Sequence, residues 1–111
     1  MPVTTIMLTN AIVTAYCACA VCCGPKSSPR LRGITADGSR AQQGITIAAS
    51  RAIPLGSRVT IGRTTFVVQD RLARRFDGRF DVFFTRHEDA KKFGKQRLNV
   101  TIDIAPTTTT R

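Results

Sequence analysis

Short runs rich in Val, Ile and Thr, cut apart by Gly-centred turns, constrain this chain more than any other feature. They fall at Thr9–Tyr16, Gly44–Ala49, Arg58–Ile61, Thr64–Asp70, Arg79–Phe84 and Leu98–Ile104. Residues branched at Cβ favour the pleated strand, and runs this short bounded by turn residues read as strands. Gly33–Gly38 reads as a short extended piece ending in an Asp37-Gly38 turn, and Pro54-Leu-Gly-Ser57 and Asp77-Gly78 supply further turns. One stretch is helical, Thr85–Phe93, with Thr85 as N-cap, Glu88 at the capping-box distance, an apolar stripe of Ala90 and Phe93, and Gly94 as its stop. The expected fold is therefore all-β, a six-stranded closed barrel with one short helix. Closure spares so small a domain its exposed strand edges.

At 111 residues there is room for a single domain, with a core over about residues 9–104 and a polar tail at 105–111. A hydrophobic content of 42% excludes a disordered basic tail, and no segment approaches the roughly 18 apolar residues of a membrane span. Seventeen Lys and Arg against seven Asp and Glu leave a net charge of +10. Such a surplus calls for an anionic partner: nucleic acid, acidic lipid or an anionic polymer such as bacterial cell wall. The apolar opening stretch has no Lys or Arg before it and is broken by Thr4, Thr5, Thr9 and Asn10, so no signal peptide is visible.

All four cysteines lie in the loop 17–24, as Cys17-Ala-Cys19-Ala-Val-Cys22-Cys23-Gly24. Three readings stand side by side: local disulfides that pin the loop after the first strand, a zinc site, and thiols. Cys19-x-x-Cys22 has the spacing of half a zinc site, but no second knuckle completes it, so Cys17 and Cys23 would have to close the tetrahedron from the same turn. The sole histidine, His87, falls at the helix cap, and no Cys-His pair is expected.

The scarce acids are informative by position. Glu88 and Asp89 suit the first helical turn, Asp37 and Asp77 precede turn glycines, and Asp103 reads as a solvated strand residue. Asp70 and Asp81 stand apart, because each lies in an apolar strand where a buried residue is expected. Either they pair with neighbouring Arg71, Arg74, Arg75, Arg79 or Arg86, or both reach one cleft. In a cleft, apolar neighbours and mutual repulsion would raise one carboxyl pKa and keep it protonated as a general acid. The arginines would then have to point elsewhere.

Thr14-Ala-Tyr-Cys-Ala-Cys with Cys22-Cys-Gly24, Gly33-Ile-Thr-Ala-Asp-Gly38, Gly44-Ile-Thr-Ile-Ala-Ala49, Ile53-Pro-Leu-Gly56, Val68-Gln-Asp70, Arg79-Phe-Asp-Val-Phe83 and His87-Glu-Asp-Ala-Lys-Lys-Phe-Gly94 form an ordered set. From about Thr14 to Ile104 this set resembles the 3D domain, named for three aspartates. The resemblance implies a double-psi β-barrel like the catalytic barrel of membrane-bound lytic transglycosylase A, which cleaves peptidoglycan between N-acetylmuramic acid and N-acetylglucosamine and leaves a 1,6-anhydro end. It further implies Asp81 as catalytic acid/base and Asp70 as its partner in the cleft. Ser50 stands where the family carries its first aspartate, and Arg71-Leu-Ala-Arg-Arg75 replaces the usual Gly-containing segment after the middle one. Tyr16, Thr35 and Ser50 are candidate hydrogen-bonding residues for the sugar, with strand packing and turn polarity as the plain alternative.

The expected function is thus a peptidoglycan lytic transglycosylase acting on the glycan strand at the bacterial wall, with a phage lysis or virion-associated role. Its chemistry requires no metal and no cofactor. The alternative is a catalytically silent barrel, a wall-binding or structural virion module, motivated by Ser50. A nucleic-acid binder ranks lower, since the basic residues are scattered and no helix-turn-helix, zinc-finger pair or aromatic RNA-binding strand motif occurs.

Overall fold

The computed structural model of the chain describes residues 4–19 and 32–106. Its strands are β1 (Thr4–Tyr16), β2 (Thr46–Ala49), β3 (Arg58–Ile61), β4 (Thr64–Arg71), β5 (Phe80–Phe83) and β6 (Gln96–Ile104), with helix α1 (His87–Phe93) between the last two. They close into a barrel in the order β1-β5-β2-β4-β3-β6. β1 runs parallel to β5 and β2 parallel to β4, while the other four ladders are antiparallel. Exchanging β1, β2 and β3 for β4, β5 and β6 returns the same ring of pairings. The barrel is therefore two interleaved three-strand halves, the double-psi arrangement.

Alternation along the strands decides what fills the interior. Val13, Ile47, Val59, Val68, Phe80, Val100 and Ile102 are all essentially inaccessible to solvent, and with Ala11, Ala49, Phe66 and Val82 they form one packed cluster. Side chains fill so narrow a barrel completely. Thr14, Ala48 and Asp81 occupy the intervening positions and therefore face away from that core.

The starts of β1 and of the helix differ from expectation. β1 begins at Thr4 rather than Thr9, because its first half pairs with β6 from Thr4↔Ile104 to Leu8↔Val100. A bulge at Asn10, whose φ is +54°, separates that half from the Ala11↔Leu98 pairing. The same ladder places Thr5 against Asp103, and the Thr5 hydroxyl donates to the Asp103 carboxylate at 2.8 Å, so Asp103 is a half-buried register contact. The helix starts at His87, not Thr85. Arg86 is its N-cap and no side chain caps it, because the Thr85 amide donates instead to Gln43 Oε1 at 2.8 Å. Gly94 closes the helix with φ +66°, as the sequence implies.

Candidate active site beside the parallel strands

Four residues on adjacent strands share one register row. Thr14 on β1 pairs with Asp81 on β5, Asp81 with Ala48 on β2, and Ala48 with Asp70 on β4. The two acids thus flank the methyl group of Ala48, with Cα atoms two strand spacings apart, roughly 10 Å. Asp70 reaches this row only through a bulge. β2 advances one residue from Ile47 to Ala48 while β4 advances two, from Val68 to Asp70. Strict alternation from Phe66 and Val68 would turn Asp70 into the core, and the extra residue, Gln69, reverses its side. Gln69 is itself held: its side-chain carbonyl accepts from the buried Thr46 hydroxyl at 2.6 Å and its backbone carbonyl from the Asp37 amide at 3.0 Å.

The carboxyl groups are held differently. Asp70 accepts three hydrogen bonds: from the Tyr16 hydroxyl at 2.9 Å, the Ala36 amide at 3.1 Å and the Arg71 amide at 2.9 Å. Tyr16 makes this bond although β5 and β2 separate β1 from β4 in the ladder, and its ring meets Phe83 edge-on at 5.3 Å. Asp81 accepts from the Thr14 hydroxyl at 3.1 Å. Burial pushes the Asp81 carboxyl up, the Thr14 bond pulls it down, and the negative charge of Asp70 pushes it up again, to about 6. One acid is locked by donors and its neighbour is poised to carry a proton near neutrality.

No arginine forms an ion pair with either acid among the described residues. Among the described residues the ion pair is Arg86 with Glu88, at 3.4 Å on the surface. Arg71 turns its guanidinium to the backbone carbonyls of Ser50 and Ile53, at 2.9 and 2.5 Å, and pins the turn after β2. Arg75 and Arg79 stack on the Phe76 ring at 4.7 and 5.0 Å. Among the described residues, then, no ion pair joins Asp70 or Asp81 to Arg71, Arg74, Arg75, Arg79 or Arg86.

Of the three candidate sugar contacts, Tyr16 lies at the pair. Thr35 is buried and spends its hydroxyl within its own turn, on Asp37 and Ser39. Burial works against Asp37, yet bonds from Ser39 and Thr35 hold its carboxyl below the ordinary value. That turn still matters, because its next residue, Ala36, donates to Asp70. Ser50 directly follows β2 at the alternate position to Ala48, and its carbonyl anchors Arg71. Sequence reasoning passed over Thr14 as a site residue, although its place two residues before Tyr16 on the same strand face was a usable signal.

A second convergence contradicts the sequence expectation for His87. Its Nδ1 lies 3.5 Å from the sulfurs of both Cys17 and Cys19, which are 3.0 Å from each other, too far for a bond between them. Nothing in local sequence announces a contact between residues 68 and 70 positions apart. Cys22 and Cys23, the other half of the cysteine motif, lie outside the described residues. A separate apolar cavity of about 310 Å³, lined by Ile61, Phe66, Phe84 and Phe93 among others, contains no ionisable side chain. No family model matches the chain, and no curated protein matches it at a significant level.

Proposed function

We propose that this protein is a peptidoglycan lytic transglycosylase in which Asp81 is the single acid/base. The observation that carries the reading is that Asp81 and Asp70 share one register row, with the Asp81 carboxyl pushed up to about 6 by burial and by Asp70, and with no arginine paired to either among the described residues. Protonated Asp81 donates to the glycosidic oxygen as the bond from C1 of N-acetylmuramic acid breaks. Asp70 lies where its charge favours the oxocarbenium-like centre that develops. The 6-hydroxyl of the same sugar then attacks C1, and Asp81, now a carboxylate, takes its proton. A new C1–O6 bond replaces the broken one, the acid is regenerated, and no water is consumed. The basic surplus draws the barrel to the anionic wall polymer.

The test is incubation with purified sacculi and mass spectrometry of the soluble products. Muropeptides with 1,6-anhydro ends are expected. Their absence at every pH between about 4 and 8, from folded protein, removes the enzyme reading. Cosedimentation with sacculi under those conditions would leave a silent wall-binding module, the role that Ser50 in place of a family aspartate favours. Steeply salt-dependent DNA binding without affinity for sacculi would favour a nucleic-acid partner instead.

Thr14→Val tests the proton assignment at nearly constant volume. The lost hydrogen bond is the influence that lowers the Asp81 pKa, so the pH at which activity declines should move upward. A profile that stays in place or moves down would remove Asp81 as the titrating group.

A further inference from the structure

We propose that Cys17, Cys19 and His87 are three ligands of a structural zinc ion that fastens the end of β1 to the start of α1. Their sulfur and Nδ1 atoms all lie within 4.8 Å of one another. Ideal tetrahedral zinc with ordinary bond lengths places sulfur and imidazole nitrogen about 3.6 Å apart and two sulfurs about 3.8 Å apart. Both sulfur to Nδ1 distances, 3.5 Å, already meet that geometry, and the two sulfurs at 3.0 Å need to part by about 0.8 Å to admit the ion.

The pattern of convergence separates this reading from its rivals. A catalytic thiol needs one sulfur against an imidazole and an open approach, whereas here two sulfurs meet the same nitrogen and Cys17 is only 1% exposed. Two soft thiolates with an imidazole select zinc among the common ions. His87 is the ligand from a distant element that the cysteine loop lacked as a zinc site. Cys17 is shut from solvent and neither Asp70 nor Asp81 is among the three donors, so the ion is structural and takes no part at Asp81. Its effect on the site is positional: Cys17 immediately follows Tyr16, whose hydroxyl holds Asp70.

The test uses the full chain, purified under reducing conditions with zinc supplied, and reads metal content, spectrum and melting temperature. A zinc-to-protein ratio near one is expected after gel filtration. Exchange for cobalt should give the intense visible bands of a tetrahedral ion and sulfur-to-cobalt charge transfer. His87→Ala should weaken binding by at least about 100-fold, since even partners that only orient a ligand are worth about 10 to 100-fold. His87→Cys should retain cobalt with stronger charge transfer, a signature that lost packing cannot produce. Chelation should lower the melting temperature of the parent protein. Folded, reduced protein that retains no zinc, cobalt bound without thiolate bands, zinc binding unaffected by both His87→Ala and Cys17→Ser, or a disulfide joining Cys17 or Cys19 in the reduced preparation would each overturn the proposal. The spectrum of the parent protein decides the matter even if a variant fails to fold.

Discussion

Asp81→Asn is expected to lower release of 1,6-anhydro muropeptides by about 10³-fold or more while making the barrel more stable at neutral pH. The first effect follows from removing the group that, in the proposed reaction, both gives and takes the proton, since one general acid or base accounts for about 10² to 10⁴-fold. The second follows from linkage. Folded Asp81 titrates at about 6 against an ordinary 3.8. Between those values the native state keeps a proton that the unfolded chain has released. The stability associated with this group is full below about pH 3.8 and is lost as pH rises through about 6. A shift of that size corresponds to at most about 3 kcal/mol. Asn carries no such charge, so the variant should gain most above pH 6 and little at pH 4. Melting curves across that range, set beside product yield, check both halves. In the proposed reaction, activity of the parent protein should fall as pH rises past about 6, because the acid form is then depleted. Product formed by the Asn variant at the parental rate would place the acid elsewhere.

Phe80→Ala is expected to cost about 3 to 5 kcal/mol, the largest stability loss available from one side chain here. Phe80 is 2% exposed and belongs to the central cluster, immediately before Asp81 on the four-residue strand β5. Truncation leaves a cavity beneath the row that holds the acid. For a domain near 100 residues such a loss lowers the melting temperature by roughly 15 to 30 °C. Calorimetry reads it directly, and a fall of only a few degrees would mean that the interior collapses around the missing ring. Activity in that variant should recover on cooling, whereas Asp81→Asn remains inactive at any temperature.

The strands were legible because β-branched runs and turn glycines carry most of their information locally. Arg58–Ile61 forms β3 with no change of boundary, and Asp70 and Asp81 stood out because a carboxylate in an apolar strand is costly without cause. Features that depend on another part of the chain were not legible. Periodicity alone turns Asp70 inward, and the bulge that reverses it rests on Gln69 bonding to Thr46 and Asp37. Thr85 has the chemistry of a cap, yet Gln43 takes its amide, and the helix starts two residues later. The direction of the arginines was equally hidden, since Arg71 follows Asp70 in sequence but serves the turn carbonyls of Ser50 and Ile53.

The pairing of the first and last strands bears on how the protein can be handled and fused. Thr4 lies beside Ile104, while Thr14, paired with Asp81, is ten residues further along β1. Across the barrel, however, the same end of β6 approaches the acids: Asp103 pairs with Arg58 and Arg58 with Val67, three residues before Asp70, and the Ala105 amide donates to Ser57, whose carbonyl accepts from the Val68 amide. A tether joined at the end of β6 therefore leaves two strand spacings from Val67, roughly 10 Å, on the side of the barrel from which β4 runs on to Asp70. A bulky fusion partner placed there would crowd the row that carries Asp70, so a long flexible linker is what keeps that row open in a fused copy.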